Sequence, residues 1–245
     1  NVAVKEIEER VNHKNLKVST IHDFLWDNIK HFQKEIKASL ITLANDEESN
    51  IKIENDDSHT PSNYFDEIEQ IQYKEFLKIK DGIISHDEII LLSEYMFRTY
   101  KKLCDILKDK YKFIFVDEYQ DTHKEVVDIL LSHLQQSNRK NIIGFFGDAM
   151  QSIYESGVDD INVYINNGLL YEVPRQQNRR SPRLVIELAN RLRTDNITQE
   201  PSEDENAPNM LNGTIKEGNI KFIYSDNDDL NRVRDYLTQH YNWDF

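Results

Sequence analysis

Glycine and proline are scarce in this chain, at 7 and 5 of its 245 residues. So little turn-forming material argues against a loop-rich β-sandwich and for helices joined by short turns. Cysteine is almost missing as well. The single Cys104 excludes an internal disulfide and fits a reducing, cytoplasmic setting. It falls inside a helical apolar pattern, which suits a buried structural thiol better than a nucleophile. Long apolar runs are also lacking: Phe113 to Val116 and Ile142 to Phe146 are far too short to span a bilayer, so no membrane is expected. No secretory signal opens the chain, and its first residue is Asn1 rather than methionine, as expected of an excised segment. Net positive charge is absent, the formal balance being −14. Taken alone this counts against nucleic-acid binding, because phosphates are held by Lys and Arg. The acid is concentrated, however, in Asp46 to Asp57 and Asp195 to Asp229, whereas six arginines between Arg175 and Arg193 face one acid, Glu187. Sites depend on local charge, so the average excludes little.

What is present is enough for a core: 38% hydrophobic and 30% charged residues, in a length that suits one large domain or two smaller ones. Val4, Ile7 and Val11 recur at helical spacing and predict a short helix ending before Asn12-His13. Thr20 is placed to cap a second helix through Phe24, Leu25, Ile29, Phe32 and Ile36. Asp46 to Asn63 reads as a loop or mobile insertion, Asp66 to Lys80 as a helix, and Asp87 to Lys108 as one longer amphipathic helix. The period then changes. Lys112 to Val116 is a continuous apolar run ending in Asp117-Glu118, the pattern of a strand buried on both faces of a parallel sheet. A helix over His123 to Leu134 and a second strand over Asn141 to Phe146, ending at Gly147-Asp148, complete a βαβ unit. Ser181 and Pro182 predict the N-cap and first turn of a helix through Leu184, Val185, Leu188 and Leu192. Asn196 to Gly213 reads as a linker, Ile220 to Tyr224 as a strand, and Asp228 to Tyr241 as a last helix. No internal repeat is visible, and a domain break is expected near residue 172.

In parallel α/β sheets the working residues lie beyond the carboxyl ends of the strands, where both polar turns fall. A carboxylate at such a strand end suits Mg²⁺, which keeps waters and binds substrate phosphates. A second carboxylate beside it can accept a proton from an attacking water. A pair of acids after a strand is as often a solvated turn, so Asp117-Glu118 alone leaves both alternatives open.

The neighbouring residues decide between them. Residues 116–122 read Val-Asp-Glu-Tyr-Gln-Asp-Thr, residues 147–154 Gly-Asp-Ala-Met-Gln-Ser-Ile-Tyr, and residues 178–181 Asn-Arg-Arg-Ser. In this order they resemble motifs II, III and IV of the UvrD/Rep family of superfamily 1A DNA helicases. Thr20-Ile21-His22-Asp23-Phe24 resembles motif Ib, and residues 1–7 resemble the latter part of motif Ia. The resemblance implies a RecA-like P-loop NTPase fold: a parallel sheet with flanking helices in a first motor domain (1A) at 1–171, a helical insertion (1B) at about 27–86, and the beginning of a second RecA-like domain (2A) at 172–245. It implies ATP and Mg²⁺ as cofactors, with Asp117 as metal ligand, Glu118 as general base, and Gln151 sensing the γ-phosphate or positioning water. Arg180 would be an arginine finger acting in cis. For Arg175 and Arg183 a solvated helix end is the better reading, and Arg179, where the family carries tyrosine, receives no role. Asn1, Thr20, His22 and Tyr154 match positions along a single-stranded DNA track. Phe24 and Trp26 are expected in the core. Gln120 and Asp121 are expected to link the ATP site to motif III.

Three departures from the family pattern stand out. No Gly-x-x-x-x-Gly-Lys-Ser/Thr phosphate loop occurs in the chain, nothing resembles motifs V and VI, and Tyr154 is followed by Glu155-Ser156-Gly157 rather than an aromatic and an arginine. The chain is therefore expected to be inactive alone, as a piece of a longer motor. The expected complete protein is a monomeric, cytoplasmic, ATP-dependent helicase or translocase. It would move 3′-to-5′ on single-stranded or partly duplex DNA and serve repair or recombination. The alternatives are a motor subunit serving a nuclease partner or a defence system, and a non-catalytic DNA-binding module that keeps the fold.

Overall fold

The first 29 residues set the pattern of short helices with defined stops. In the computed structural model, which describes residues 2–53, 59–152, 161–224, 229–241 and 243, α1 spans Val2–Val11 and stops where Asn12 turns left-handed, at φ 36°. Helix α2 spans Ile21–Ile29 and is capped as expected, with Thr20 Oγ1 accepting the Asp23 N–H at 3.1 Å. The predicted continuation through Phe32 and Ile36 is broken at residues 30–32, and α3 starts afresh at Gln33–Ala44. Gln33 explains the break. Its amide donates to the Lys30 carbonyl at 2.8 Å, and its Oε1 accepts the Ile71 N–H at 2.7 Å. One side chain thus caps the end of α2 and pins a distant segment.

That segment corrects the predicted helix over Asp66 to Lys80. Here β1 (Gln72–Tyr73) pairs in parallel with β2 (Ile83–Ile84), and a 3₁₀ turn at Ile79–Asp81 lies between them. Phe65, Ile71 and Ile79 are buried, but the Ile71 N–H is taken by Gln33 Oε1 and the Gln72 N–H by the Gly82 carbonyl at 2.7 Å, so this backbone bonds to other segments and not along a helix. Gly82 adopts φ 72°, and a Cβ there would lie 2.6 Å from Ile68 Cγ2. Nor is Asp46 to Asn63 simply a solvated loop, since Ile51, Ile53 and Thr60 are buried. The expected helical insertion at about 27–86 is therefore helical only as far as Ala44 among the described residues. It has no separate core: Ile36, Leu40, Ile51, Phe65, Ile71 and Ile84 join the same cluster as the helices that follow.

The long helix predicted over Asp87 to Lys108 is two: α4 (His86–Thr99) and α5 (Lys101–Lys110), separated at Tyr100 by φ −109° and ψ 87°. Helix α4 opens on a capping box between Ser85 and Glu88. Its Ile89, Leu92, Met96 and Phe97 are completely or almost completely buried. Strand β3 (Phe113–Val116) then pairs in parallel with β4 (Ile142–Phe145), joined through α6 (Lys124–Leu131) and a 3₁₀ turn at His133–Gln136. This is the expected βαβ unit. Burial on both faces is not observed: Ile114 and Val116 face the core, whereas Phe113 and Phe115 are 61% and 63% exposed. A short α7 follows at Asn162–Asn166, where Tyr164 packs on Val127 and Leu131 of α6.

The chain divides into two compact units, residues 1–171 and 172–245. In the second, β5 (Gln177–Asn178) leads to α8 (Arg183–Leu192). The N-cap is Pro182, one residue later than expected at Ser181. The first helical N–H groups of α8 are satisfied by the carbonyls of Lys216 and Glu217, at 2.9 and 3.1 Å. The expected linker over Asn196 to Gly213 is ordered into structure instead. Strand β6 (Glu200–Pro201) pairs with β5, and β7 (Met210–Leu211) forms a hairpin with β8 (Thr214–Ile215) across Asn212-Gly213. Both turn residues have positive φ, 53° and 74°, as a two-residue primed turn requires. The strand expected over Ile220 to Tyr224 is not formed. Phe222 and Tyr224 are 90% and 84% exposed, and among the described residues no strand pairs with this run. Helix α9 spans Leu230–Tyr241.

Candidate functional site

Parallel pairing of β3 with β4 brings the ends of the two strands side by side. Phe146 N–H donates to the Val116 carbonyl at 2.8 Å, and Tyr119 N–H to the Phe146 carbonyl at 3.1 Å. The turns carrying Asp117-Glu118 and Gly147-Asp148 are therefore neighbours. Immediately after β3, Glu118 sits in the left-handed region at φ 50° and ψ 49°. Only a minority of non-glycine residues adopt this conformation, and surrounding bonds must hold it. The bonds are present. The Glu118 carbonyl accepts Asp121 N–H at 3.0 Å, Glu118 N–H donates to Asp117 Oδ1 at 3.1 Å, and Gln120 Nε2 donates to Glu118 Oε2 at 2.7 Å. The chain reverses sharply, and both carboxylates remain exposed beyond the strand end.

Gln120 is buried, at 3% exposure, and reaches across to the second turn. Its Oε1 accepts Asp148 N–H at 3.2 Å, and its main-chain carbonyl accepts the Ser152 hydroxyl at 3.4 Å. Asp148 then organises the turn that carries Gln151: its Oδ1 accepts Met150 N–H at 3.1 Å and its Oδ2 accepts Gln151 Nε2 at 3.0 Å. One hydrogen-bonded chain thus links Glu118, Gln120, Asp148 and Gln151. Through these bonds Gln120 bridges the two turns.

The donor set fits a hard cation bound with a polyphosphate. Mg²⁺ takes one or two carboxylates and completes its shell with phosphates and water, and Asp117 supplies an exposed carboxylate of that kind. Among the described residues no group of three His, Cys, Asp or Glu side chains could hold a metal ion.

Thr20 and His22 lie at the start of α2. Thr20 Oγ1 also donates to Asp23 Oδ2 at 2.8 Å, so its hydroxyl is occupied by the cap. The His22 ring lies 4.6 Å from that of His86, which lies 5.4 Å from the ring of Tyr73. Burial is the main reason the His22 imidazole titrates below its ordinary value, with His86 and His123 adding like-charge repulsion. Phe24 and Trp26 pack against the core as expected, with ring contacts to Tyr111 at 5.6 Å and Tyr73 at 6.2 Å. Asn1 and Tyr154 lie outside the described residues.

In the second unit Asn178 Oδ1 accepts the N–H groups of Arg180 and Ser181, at 3.0 and 2.8 Å. This turn presents Arg180 to solvent, and among the described residues its guanidinium makes no ion pair. Its neighbours differ. Arg179 pairs with Asp204 at 2.5 Å, Arg183 with Glu187 and Glu217, and Arg193 with Asp195. Much of the positive charge expected between Arg175 and Arg193 is thus met by acid.

Sequence reasoning missed the left-handed conformation of Glu118, the His22–His86–Tyr73 row and the need for glycine at 147. A Cβ at Gly147 would lie 2.1 Å from Gln120 Oε1. A glycine at the turn that ends an apolar run was the available signal.

The βαβ unit sets the paired carboxylates and the glutamine-bearing turn side by side beyond the carboxyl ends of two parallel strands, where α/β sheets bind ligands. Comparison with known proteins gives the family. Residues 1–166 match the model of the UvrD/REP helicase N-terminal domain, and the chain belongs to that family. It is 41% identical over 120 residues to Gabija protein GajB of Bacillus cereus (strain HuB5-5), covering 47% of this chain and 17% of that one. It is 26% identical over 153 residues to the ATP-dependent DNA helicase PcrA of Bacillus subtilis (strain 168), covering 59% and 20%. It is 31% identical over 131 residues to the ATP-dependent DNA helicase Rep of Buchnera aphidicola subsp. Baizongia pistaciae (strain Bp), covering 51% and 19%. The matched region therefore spans a fifth or less of these relatives' length.

Proposed function

We propose that this chain supplies part of the ATP-hydrolysing motor of a DNA helicase or translocase. The observation that carries the reading is the hydrogen-bonded chain from Glu118 through Gln120 and Asp148 to Gln151, at the adjacent ends of two parallel strands. Asp117 would hold Mg²⁺, which neutralises charge on the transferring phosphate when bound. Glu118 accepts a proton from the attacking water, and Gln151 donates to a phosphate oxygen or orients that water. Arg180, whose guanidinium makes no ion pair among the described residues, would act as an arginine finger. The first unit is the first RecA-like domain with its insertion, and the second begins the second RecA-like domain. Single-stranded or partly duplex DNA is the track, with Thr20 and His22 beside it and Asn1 and Tyr154 as further contacts. Translocation is 3′-to-5′, by a monomer in the cytoplasm, in repair or recombination.

Identity to the Gabija protein, at 41%, is higher than to the PcrA and Rep proteins, at 26% and 31%. This favours a second reading in which the motor serves a helicase–nuclease or defence system. Purification of the full-length protein from its host, followed by a nuclease assay, separates the two: a co-purifying nuclease favours the second.

The test of the motor itself is ATP hydrolysis by the full-length protein with and without single-stranded DNA. DNA-stimulated turnover that collapses in Glu118→Gln while ATP binding survives is expected. Intact DNA binding with no turnover in the wild type would make the protein a binding module.

A further inference from the structure

We infer that Gln120 is a positioning residue that fixes the orientation of the Glu118 carboxylate and makes it follow the Asp148–Gln151 turn. The inference rests on Glu118 being the general base. A buried primary amide must find partners for both ends, and Gln120 finds them on different elements. Its Nε2 donates to Glu118 Oε2 at 2.7 Å, while its Oε1 accepts Asp148 N–H at 3.2 Å. Its own carbonyl accepts the Ser152 hydroxyl at 3.4 Å, a third tie to the same turn.

Residue type and shape both matter at this position. A glutamate in place of Gln120 could still accept from Asp148 but would set a second carboxylate against Glu118. Asparagine is one methylene too short to span the gap. Methionine would fit the length and leave the Asp148 N–H without its acceptor. The path of the amide exists because residue 147 is glycine, since a Cβ there would stand 2.1 Å from Gln120 Oε1 and 2.9 Å from Tyr119 Cδ1.

The consequence is directional. Glu118 is solvent-exposed, so water alone could satisfy its carboxylate and leave it rotating among several orientations. With Oε2 engaged by Gln120, the carboxylate is held in one orientation and Oε1 is the oxygen left to receive a proton. Gln151 hangs on Asp148 at 3.0 Å, so any shift of this turn displaces the Gln120 amide and with it Glu118.

The experiment uses the full-length protein with Mg-ATP and single-stranded DNA, and compares Gln120→Glu, Gln120→Met and Glu118→Gln. Steady-state kinetics give kcat and KM, binding of a fluorescent ATP analogue gives Kd, and amide exchange reports the Asp148 N–H without any turnover. Gln120→Glu is expected to lose about 10²-fold in kcat, the size of effect that misplacing a catalytic group produces. Its KM, its Kd for the analogue and its Asp148 protection should stay within about twofold of wild type. Gln120→Met is expected to lose kcat similarly and to exchange the Asp148 amide faster. Wild-type kcat in Gln120→Glu, with Glu118→Gln inactive, overturns the positioning role and leaves the base intact. Loss in Gln120→Glu that falls on KM and Kd rather than kcat also overturns it, because the side chain would then act on binding. Wild-type kcat in Glu118→Gln instead overturns the general-base reading on which the inference stands.

Discussion

Replacing Gly147 by alanine tests the geometry of the site with a single methyl group. The added Cβ would stand 2.1 Å from Gln120 Oε1, 2.9 Å from Tyr119 Cδ1 and 3.1 Å from Tyr119 N. The first is the end of a flexible side chain and can be relieved by expelling Gln120 from its buried place. Expulsion breaks the bonds to Glu118 and Asp148. Glu118 is exposed and recovers water, so most of the cost falls on the buried amide and the Asp148 N–H. The contact with Tyr119 N is backbone and cannot be relieved that way. Lost hydrogen bonds and overpacking together cost about 2–4 kcal/mol, which lowers the melting temperature of a unit this size by roughly 5–15 °C. Because the chain has two units, the readout must belong to the first. Trp26 fluorescence in a Trp243→Phe background provides that, these being the chain's 2 tryptophans. In Gln120→Ala the nearest clash no longer exists, so Gly147→Ala should then cost at least about 1 kcal/mol less. A Gly147→Ala cost below about 0.5 kcal/mol, or strict additivity with Gln120→Ala, would refute the reasoning.

Two further predictions concern the packing around the site. Hydrogen bonds from Lys17 and then Lys30 hold the Asp27 carboxyl down at about 2, against 3.8 ordinarily. The unfolded chain therefore binds the proton first, and the stabilisation is complete above about pH 4 and lost as pH falls from about 4 to about 2. Because the lysines are more than a third exposed, solvent screening limits it to about 1 kcal/mol. Asp27→Asn should flatten this part of a denaturation-against-pH curve, and an unchanged slope would count against the pairing. Cys104 is buried, and burial pushes its thiol up to about 11. A disulfide reagent at pH 8 should label it only as fast as the first unit opens. Labelling within the mixing time under native conditions would contradict its burial.

Much of the site was legible because it depends on residue order along strands. The change from helical period to an apolar run located β3 and β4, and the polar residues after each run located the two turns. Gly147 and Gln120 could be named from sequence, but their mutual exclusion of a Cβ required atomic positions. The left-handed backbone at Glu118 had no signal, because glutamate is not among the residues that favour it. The failures elsewhere share another cause. Residues 66–80 contain apolar side chains at helix-compatible intervals, but their backbone is committed to Gln33, far away in sequence, and to Gly82, just beyond the segment. The ordered segment after Asn196 was mistaken for a linker through its polar composition. Its order depends on bonds to distant residues, such as Asn209 N–H to the Arg179 carbonyl at 3.2 Å and Asn209 Nδ2 to the Asn178 carbonyl at 2.9 Å.

The charge reading changes most when sequence is replaced by contacts. Six arginines in nineteen residues looked like a basic track, yet Arg179, Arg183 and Arg193 each hold an acid that composition had assigned to loops: Asp204, Glu217 and Asp195. The second acidic segment and the arginine cluster are thus partly one structure, and counting them separately overstated both. The exposed pairs at Arg179 and Arg183 add little stability, but all three consume positive potential that phosphate would otherwise meet. Arg180 differs from these neighbours because Asn178 fixes its backbone while the side chain is left to solvent. Of the two arginines at 179 and 180, the first is paired with Asp204 and the second makes no ion pair among the described residues.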